Sequence, residues 1–207
     1  MRTFSSFTFD VVEELFYIKK VKKLALLEEW EAATLNTNDK VLYFLNYLKE
    51  RLLEQVNIWN EDELKSFFIG PIIEIAEIRS ENYQSFMQRS FSFKYKEEEI
   101  GGRVDFIVAK GRRIPQSPYF FIHEYKQETD NSGDPLGQLL IAMVAAQYLN
   151  DKKFPILGAY IIGRNWFFVI LSDNEYCVTN EYNATNEDIF QIFAILQKSK
   201  EIIERFI

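Results

Sequence analysis

Apolar positions along the chain change period several times, and the changes mark out the elements. Over residues 9–27, Val11, Val12, Leu15 and Phe16, then Leu24, Leu26 and Leu27, predict a mostly helical stretch around the basic cluster Lys19, Lys20, Lys22 and Lys23. After the polar break at 36–39, Val41, Leu45, Leu48, Leu52 and Val56 recur at helical spacing and predict a second amphipathic helix. The period then shortens to two: Phe91, Phe93 and Tyr95 alternate through a strand over 85–95. The run 96–99 with Gly101 and Gly102 is expected to turn the chain into the next strand. Residues 102–109 and 119–126 are rich in β-branched and aromatic residues, and 111–118 carries Gly111, Pro115 and Pro118, so the pair reads as a β-hairpin closing a three-stranded antiparallel meander.

Beyond a polar loop at 127–133, Asp134 has the form of an N-cap with Pro135 at the first helical position. Leu139, Ala142, Met143 and Ala146 give that helix a buried stripe. Residues 156–162 are continuously apolar, as an interior strand after a helical crossover should be. Strands at 166–171 and 175–179 and a helix over 185–206, with Ile189, Phe193, Leu196 and Ile203 on one face, complete the chain. The pattern is that of an α/β protein: residues 1–59 form an N-terminal helical extension, and 60–207 form a core domain with a mixed central sheet flanked by helices.

The hairpin carries the chemistry. If the loop's midpoint is the hairpin's midpoint, Asp105 and Glu124 are cross-strand neighbours with Cβ atoms roughly 5 Å apart. Lys126 shares a face with Glu124, beside Ile107, Phe120 and Ile122, while His123 and Tyr125 point the other way. His123 is therefore expected in the core rather than as a general base. Two carboxylates that close repel by on the order of 3 kcal/mol at an effective dielectric near 20. A divalent cation removes the conflict, and magnesium accepts one or two carboxylates plus water and phosphate oxygens. The alternative is a surface ion-pair ladder in which Lys126 neutralises Glu124.

These residues resemble the PD-(D/E)XK nuclease superfamily, which places an Asp on one strand and Glu-x-Lys on the next. Val104-Asp105-Phe106 and Glu124-Tyr125-Lys126 match those motifs, and Gln138 falls in the glutamine position of the following helix. Residues 60–73 are similar to the helix that opens the nuclease domain of type I restriction subunits, where Glu63 is the matching acid. The resemblance covers residues 60–170 and implies a restriction-endonuclease-like fold and a nuclease using Mg2+ or Mn2+. Asp105, Glu124 and the carbonyl of Tyr125 would hold the ion, with Lys126, Glu63 and Gln138 completing the catalytic set. The implied partner is nucleic acid, DNA ahead of RNA, and a homodimer would suit cutting of both strands. Asn60 followed by Glu63 also has the form of a helix cap, so Glu63 has a structural role open to it, and Glu74 is the substitute acid. Pro71 is expected to kink or restart that helix near Gly70.

Composition changes the picture in two ways. Hydrophobic residues at 47% and aromatics at 16% place the chain among folded domains; with a lone cysteine, Cys177, and no apolar leader or spanning tract, a cytoplasmic protein without a membrane partner is expected. The net charge of −7 sits awkwardly with a polyanionic substrate, because phosphate neutralisation by Lys and Arg supplies most nucleic-acid affinity. It keeps open a catalytically silent nuclease-fold binding or regulatory protein, and a metal-dependent enzyme acting on a small phosphorylated substrate.

Overall fold

The computed structural model describes residues 1–129 and 133–207. It is an α/β structure in which one mixed sheet separates two helical layers. In chain order the elements are β1 (Arg2–Thr3), α1 (Phe9–Phe16), β2 (Lys19–Lys20), α2 (Ala25–Glu31), α3 (Asp39–Gln55), α4 (Glu61–Leu64) and α5 (Gly70–Ala76). There follow β3 (Gln84–Tyr95), β4 (Glu98–Lys110), β5 (Gln116–Lys126), α6 (Pro135–Leu149), β6 (Ile156–Ile162), β7 (Asn165–Ser172), β8 (Glu175–Val178), β9 (Tyr182–Asn183) and α7 (Asp188–Glu204). The sheet runs β1-β4-β5-β6-β7-β8-β2, with β3 also on β4 and β9 on β7. β4 pairs antiparallel with both β3 and β5, and β6 lies parallel to β5 after the α6 crossover.

The helix expected over 9–27 is broken. Tyr17 ends α1 in the left-handed conformation, and Lys19 and Lys20 pair parallel with Glu175 and Tyr176 at the sheet edge. Lys19 and Lys23 are bound to Glu175 and Glu28, so two of the four lysines in that cluster face carboxylates of this chain. The early segment thus adds β1 and β2 to the sheet as well as packing helices on it. The turn between β3 and β4 is also tighter than its charge run implies. It takes only Lys96 and Glu97, and Gly102 lies inside β4, where a Cβ would stand 2.7 Å from the Phe4 ring.

α6 is buried almost all the way round, Gly137 through Gln147, because the sheet covers one side and the N-terminal segment covers the other. A helix apolar on every face is stable only in such a sandwich. Its far end secures β5. Asn150 Nδ2 donates to the carbonyl of Tyr119 at 2.6 Å, and the N–H of Tyr119 donates back to Asn150 Oδ1 at 2.8 Å. That amide bridge sits at the register shift between Val108 and Ala109, which carries Phe120 into the opposite core layer from Ile122. Phe120 therefore does not share the face of Ile107, as uniform alternation had implied; the bulge reverses it.

Among the described residues, no helix is long and apolar enough to cross a membrane. The polar loop expected at 127–133 falls partly outside the described residues, at 130–132.

The amide bridge yields a test. Asn150→Ala leaves the buried N–H and C=O of Tyr119 without these partners and is expected to lower unfolding free energy by about 2–3 kcal/mol in urea denaturation. A loss under about 0.5 kcal/mol would show that β5 does not depend on it.

Candidate functional site

Pairing of Phe106 with His123 and of Ile107 with Ile122 leaves Asp105 and Glu124 next along the two strands, just past the last paired residues. The backbone N–H of Tyr125 donates to Asp105 Oδ2 at 2.9 Å, which draws the Asp105 carboxylate towards β5. Alternation is nevertheless not uniform here. Val104 packs in the core layer of α6 and Phe106 in the layer of α5 and α7, although they stand two residues apart. Opposite this switch, Gln88 on β3 takes a left-handed φ of 51° and the ladder skips it. Asp105 thus sits at a kink between the two layers, within reach of the helix side as well as of Glu124.

What reaches it from the helix side is Lys65. Its Nζ lies 2.7 Å from Asp105 Oδ1 and also donates to the carboxylate of Glu61, one turn earlier. Lys65 belongs to a π-helical turn, Lys65–Ile69, closed by the N–H of Gly70 donating to the Lys65 carbonyl. Pro71 explains the widening: it has no N–H to give to the preceding turn, and its ring crowds the carbonyl four residues back. The helix irregularity expected near Gly70 therefore takes this form.

Burial decides the electrostatics. Glu124 is 9% exposed, and its pKa is pushed up to about 8, first by desolvation and then by the charge of Asp105, with Lys126 pulling the other way. Asp105 is raised as well by burial, against the opposing pull of Lys65 and the Tyr125 N–H. Burial alone lowers the Lys65 ammonium, but Asp105 and Glu61 outweigh it and the net shift is upward.

The remaining predicted residues divide. The carboxylate of Glu63 accepts from the N–H of Asn60 at 2.9 Å while Asn60 Oδ1 accepts from the N–H of Glu63 at 2.9 Å, a reciprocal cap that faces its own helix end. Glu74 is largely exposed and pairs with Arg79. Gln138 is buried in the first turn of α6, below the cap in which Asp134 accepts from the N–H groups of Gly137 and Phe9. Lys126 is partly buried at the end of β5, where its carbonyl accepts from the N–H of Gly163. His123 faces the other layer as expected, with its Nδ1 2.9 Å from the Tyr125 hydroxyl and its ring against Phe106 and Phe121. Complete burial holds that imidazole well below its ordinary pKa and hence neutral. Trp166 is fully buried, so it presents no face to an incoming base, and Arg164 beside it is bound to Glu128.

Sequence reasoning missed Lys65 and Glu61. The only trace was Glu-x-x-x-Lys one position past the cap, a spacing ordinarily read as a surface pair. Chemically, the arrangement gathers the carboxylates of Asp105, Glu124 and Glu61 with the ammonium groups of Lys65 and Lys126. Among the described residues no group of three or more His, Cys, Asp and Glu side chains is placed to hold a metal. The oxygens of Asp105 and Glu124 form a hard two-carboxylate set. No protein-family model matches the chain, and comparison with curated proteins gives no match.

Two outcomes are expected. Because the folded pKa of Glu124 lies above its unfolded value, the folded state binds the extra proton between about pH 4.5 and 8, so stability falls as pH rises through that window and levels off above it. Denaturation midpoints measured from pH 5 to 9 should show this slope, and Glu124→Gln should flatten it; an unchanged slope refutes the assignment. Separately, Lys65→Met removes one partner of a buried ion pair and is expected to cost about 3 kcal/mol, read as a lower thermal midpoint.

Proposed function

We propose that the protein is a metal-dependent nuclease of restriction-endonuclease-like fold that hydrolyses phosphodiester bonds, DNA ahead of RNA. The observation that carries this reading is the desolvated pair Asp105 and Glu124, adjacent in register, with Lys126 two residues beyond Glu124. The donor set fits the ion such a reaction uses. Two carboxylates and the Tyr125 carbonyl are hard oxygens, Mg2+ or Mn2+ needs no more than that beside water and phosphate, and the repulsion that lifts Glu124 is what a cation would relieve. When bound, the ion supplies charge stabilisation at the phosphate and a more acidic water.

The chain's own groups then have defined work. Asp105 and Glu124 would hold the cation, and the Tyr125 N–H fixes the Asp105 carboxylate in place. Lys126 orients the attacking water or meets charge on the phosphate. Glu61, rather than Glu63, takes the part of the helix acid, because its carboxylate lies beside Asp105 through Lys65 while that of Glu63 closes the cap. Gln138, at the start of α6, is an auxiliary to the site. A duplex cut on both strands would need two such sites, which a homodimer brings together.

A second reading has an observation of its own. The Lys65 ammonium already supplies Asp105 and Glu61 with a counter-charge, as it would in a silent nuclease-fold protein that binds or regulates without turnover. Cleavage assays on single- and double-stranded DNA and RNA with Mg2+ or Mn2+ separate the two. The wild type is expected to cut, a chelator to abolish cutting, and Asp105→Asn and Lys126→Ala each to lower the rate by on the order of 10²-fold or more. Glu61→Gln is expected to impair cutting, whereas Glu63→Ala should cost about 1 kcal/mol of stability and leave cutting intact. Equal activity in all variants, or none with any substrate, removes the nuclease reading; calorimetry showing no uptake of Mg2+ or Mn2+ would favour the silent one.

A further inference from the structure

A groove of about 590 Å3 runs between the α4 to α5 segment and the kinked part of the β3–β4 pair, lined among others by Asp62, Lys65, Ser66, Gln88, Arg89 and Arg103. In a chain of net charge −7, three of these are cationic and one is acidic. We propose that this groove is a binding site for the backbone of a nucleic-acid strand, with Arg89 and Arg103 as its phosphate contacts; the proposal rests on the nuclease reading and extends it to how substrate reaches the site.

Three features support the assignment. First, Lys65 lines the groove and also holds Asp105, so one side chain joins the groove to the carboxylate site. Second, both guanidinium groups are tethered without being neutralised. Arg103 Nη2 donates to Gln88 Oε1, and Arg89 Nη1 donates to the carbonyl of Met87 at 3.0 Å. Among the described residues no carboxylate lies within ion-pairing distance of either, in contrast to Arg79, Arg164 and Arg205, which are bound to Glu74, Glu128 and Glu29. A guanidinium has five N–H donors and uses few of them here, leaving its fork for the paired oxygens of a phosphate. Third, Arg103 precedes Asp105 by two residues on β4, so the guanidinium and the carboxylate site belong to the same short stretch of strand. A strand gripped at Arg89 and Arg103 would then extend towards the carboxylate site.

The left-handed Gln88 is what sets this up. It interrupts the ladder opposite Asp105, and its side chain then braces Arg103. The same kink that makes Asp105 available to the helix side thus positions the arginine next to it.

The experiment is fluorescence polarisation with a labelled 12-nucleotide single strand and the matching duplex, without divalent cations, over a series of salt concentrations. The probes are wild type, Arg89→Ala/Arg103→Ala, and Lys152→Ala/Lys153→Ala as a control that removes the same charge elsewhere, with thermal midpoints measured for all three. The expected result is binding by the wild type, at least 10-fold weaker binding by the arginine variant, and a salt slope smaller by about 1.4 for the single strand, with the lysine variant close to wild type. Equal weakening in both variants, or none in either, overturns the groove while leaving cleavage by the wild type, and hence the nuclease reading, intact. Absence of both binding and cleavage by the wild type overturns the two together. Weakening in the arginine variant accompanied by a matching fall in its thermal midpoint overturns the groove unless Arg89→Lys/Arg103→Lys restores binding.

Discussion

Two carboxylates at the dry end of a sheet need positive charge, and that requirement organises the surroundings of Asp105 and Glu124. Removing them from water raises both pKa values, and the charge of Asp105 raises that of Glu124 further. The structure answers with Lys65 from the helix side, the Tyr125 N–H from the backbone and Lys126 from the strand itself. The π turn and the kink at Gln88 follow the same geometry: they let a helix lysine and a strand acid meet across a layer boundary.

The balance is incomplete by design or by history, and Glu124 shows it. Lys65 is bound to Asp105 and Glu61, and its charge and that of Lys126 together offset only part of what burial and Asp105 impose on Glu124. A carboxylic acid that is neutral over much of the physiological range leaves a site poised to gain from a cation: its arrival would favour the ionised form that burial disfavours. The neutral, sealed His123 on the opposite layer adds nothing to this chemistry; it packs with Phe106, Phe121 and Tyr125 on the face of β5 turned away from Glu124.

The hairpin was legible in the sequence because its signals are local: alternation on both flanks and a loop carrying glycine and prolines fix the register that sets Asp105 beside Glu124. The final helix and the interior strand at β6 were legible for the same reason. Three features were not. The break after α1 depends on a left-handed Tyr17 and on β8 offering an edge, neither of which periodicity encodes. The fate of Phe120 depends on a bulge whose partner, Asn150, is about thirty residues away. Lys65 looked like half of a surface pair with Glu61, and only the tertiary approach of Asp105 turns that pair into part of a site. Glu63 was ambiguous between cap and acid, and the capping geometry follows the local rule while the neighbouring Glu61 turns towards the strands.

Net charge is the last physical question, and its force depends on distance. At physiological ionic strength exposed charges are screened over about 8 Å, so most of the surplus acids on this chain act only on their own surroundings. What an approaching phosphate would meet is the local field, and beside Asp105 that field is set by Lys65, Arg89 and Arg103 against Asp62 and a Glu124 that is partly protonated. A cation bound at the carboxylates would tip the same region further positive, and the acids elsewhere would then discourage nucleic acid from lodging away from the groove. An acidic protein with one cationic channel loses non-specific affinity and keeps directional approach. On that footing the overall charge does not count against the proposed polyanionic substrate.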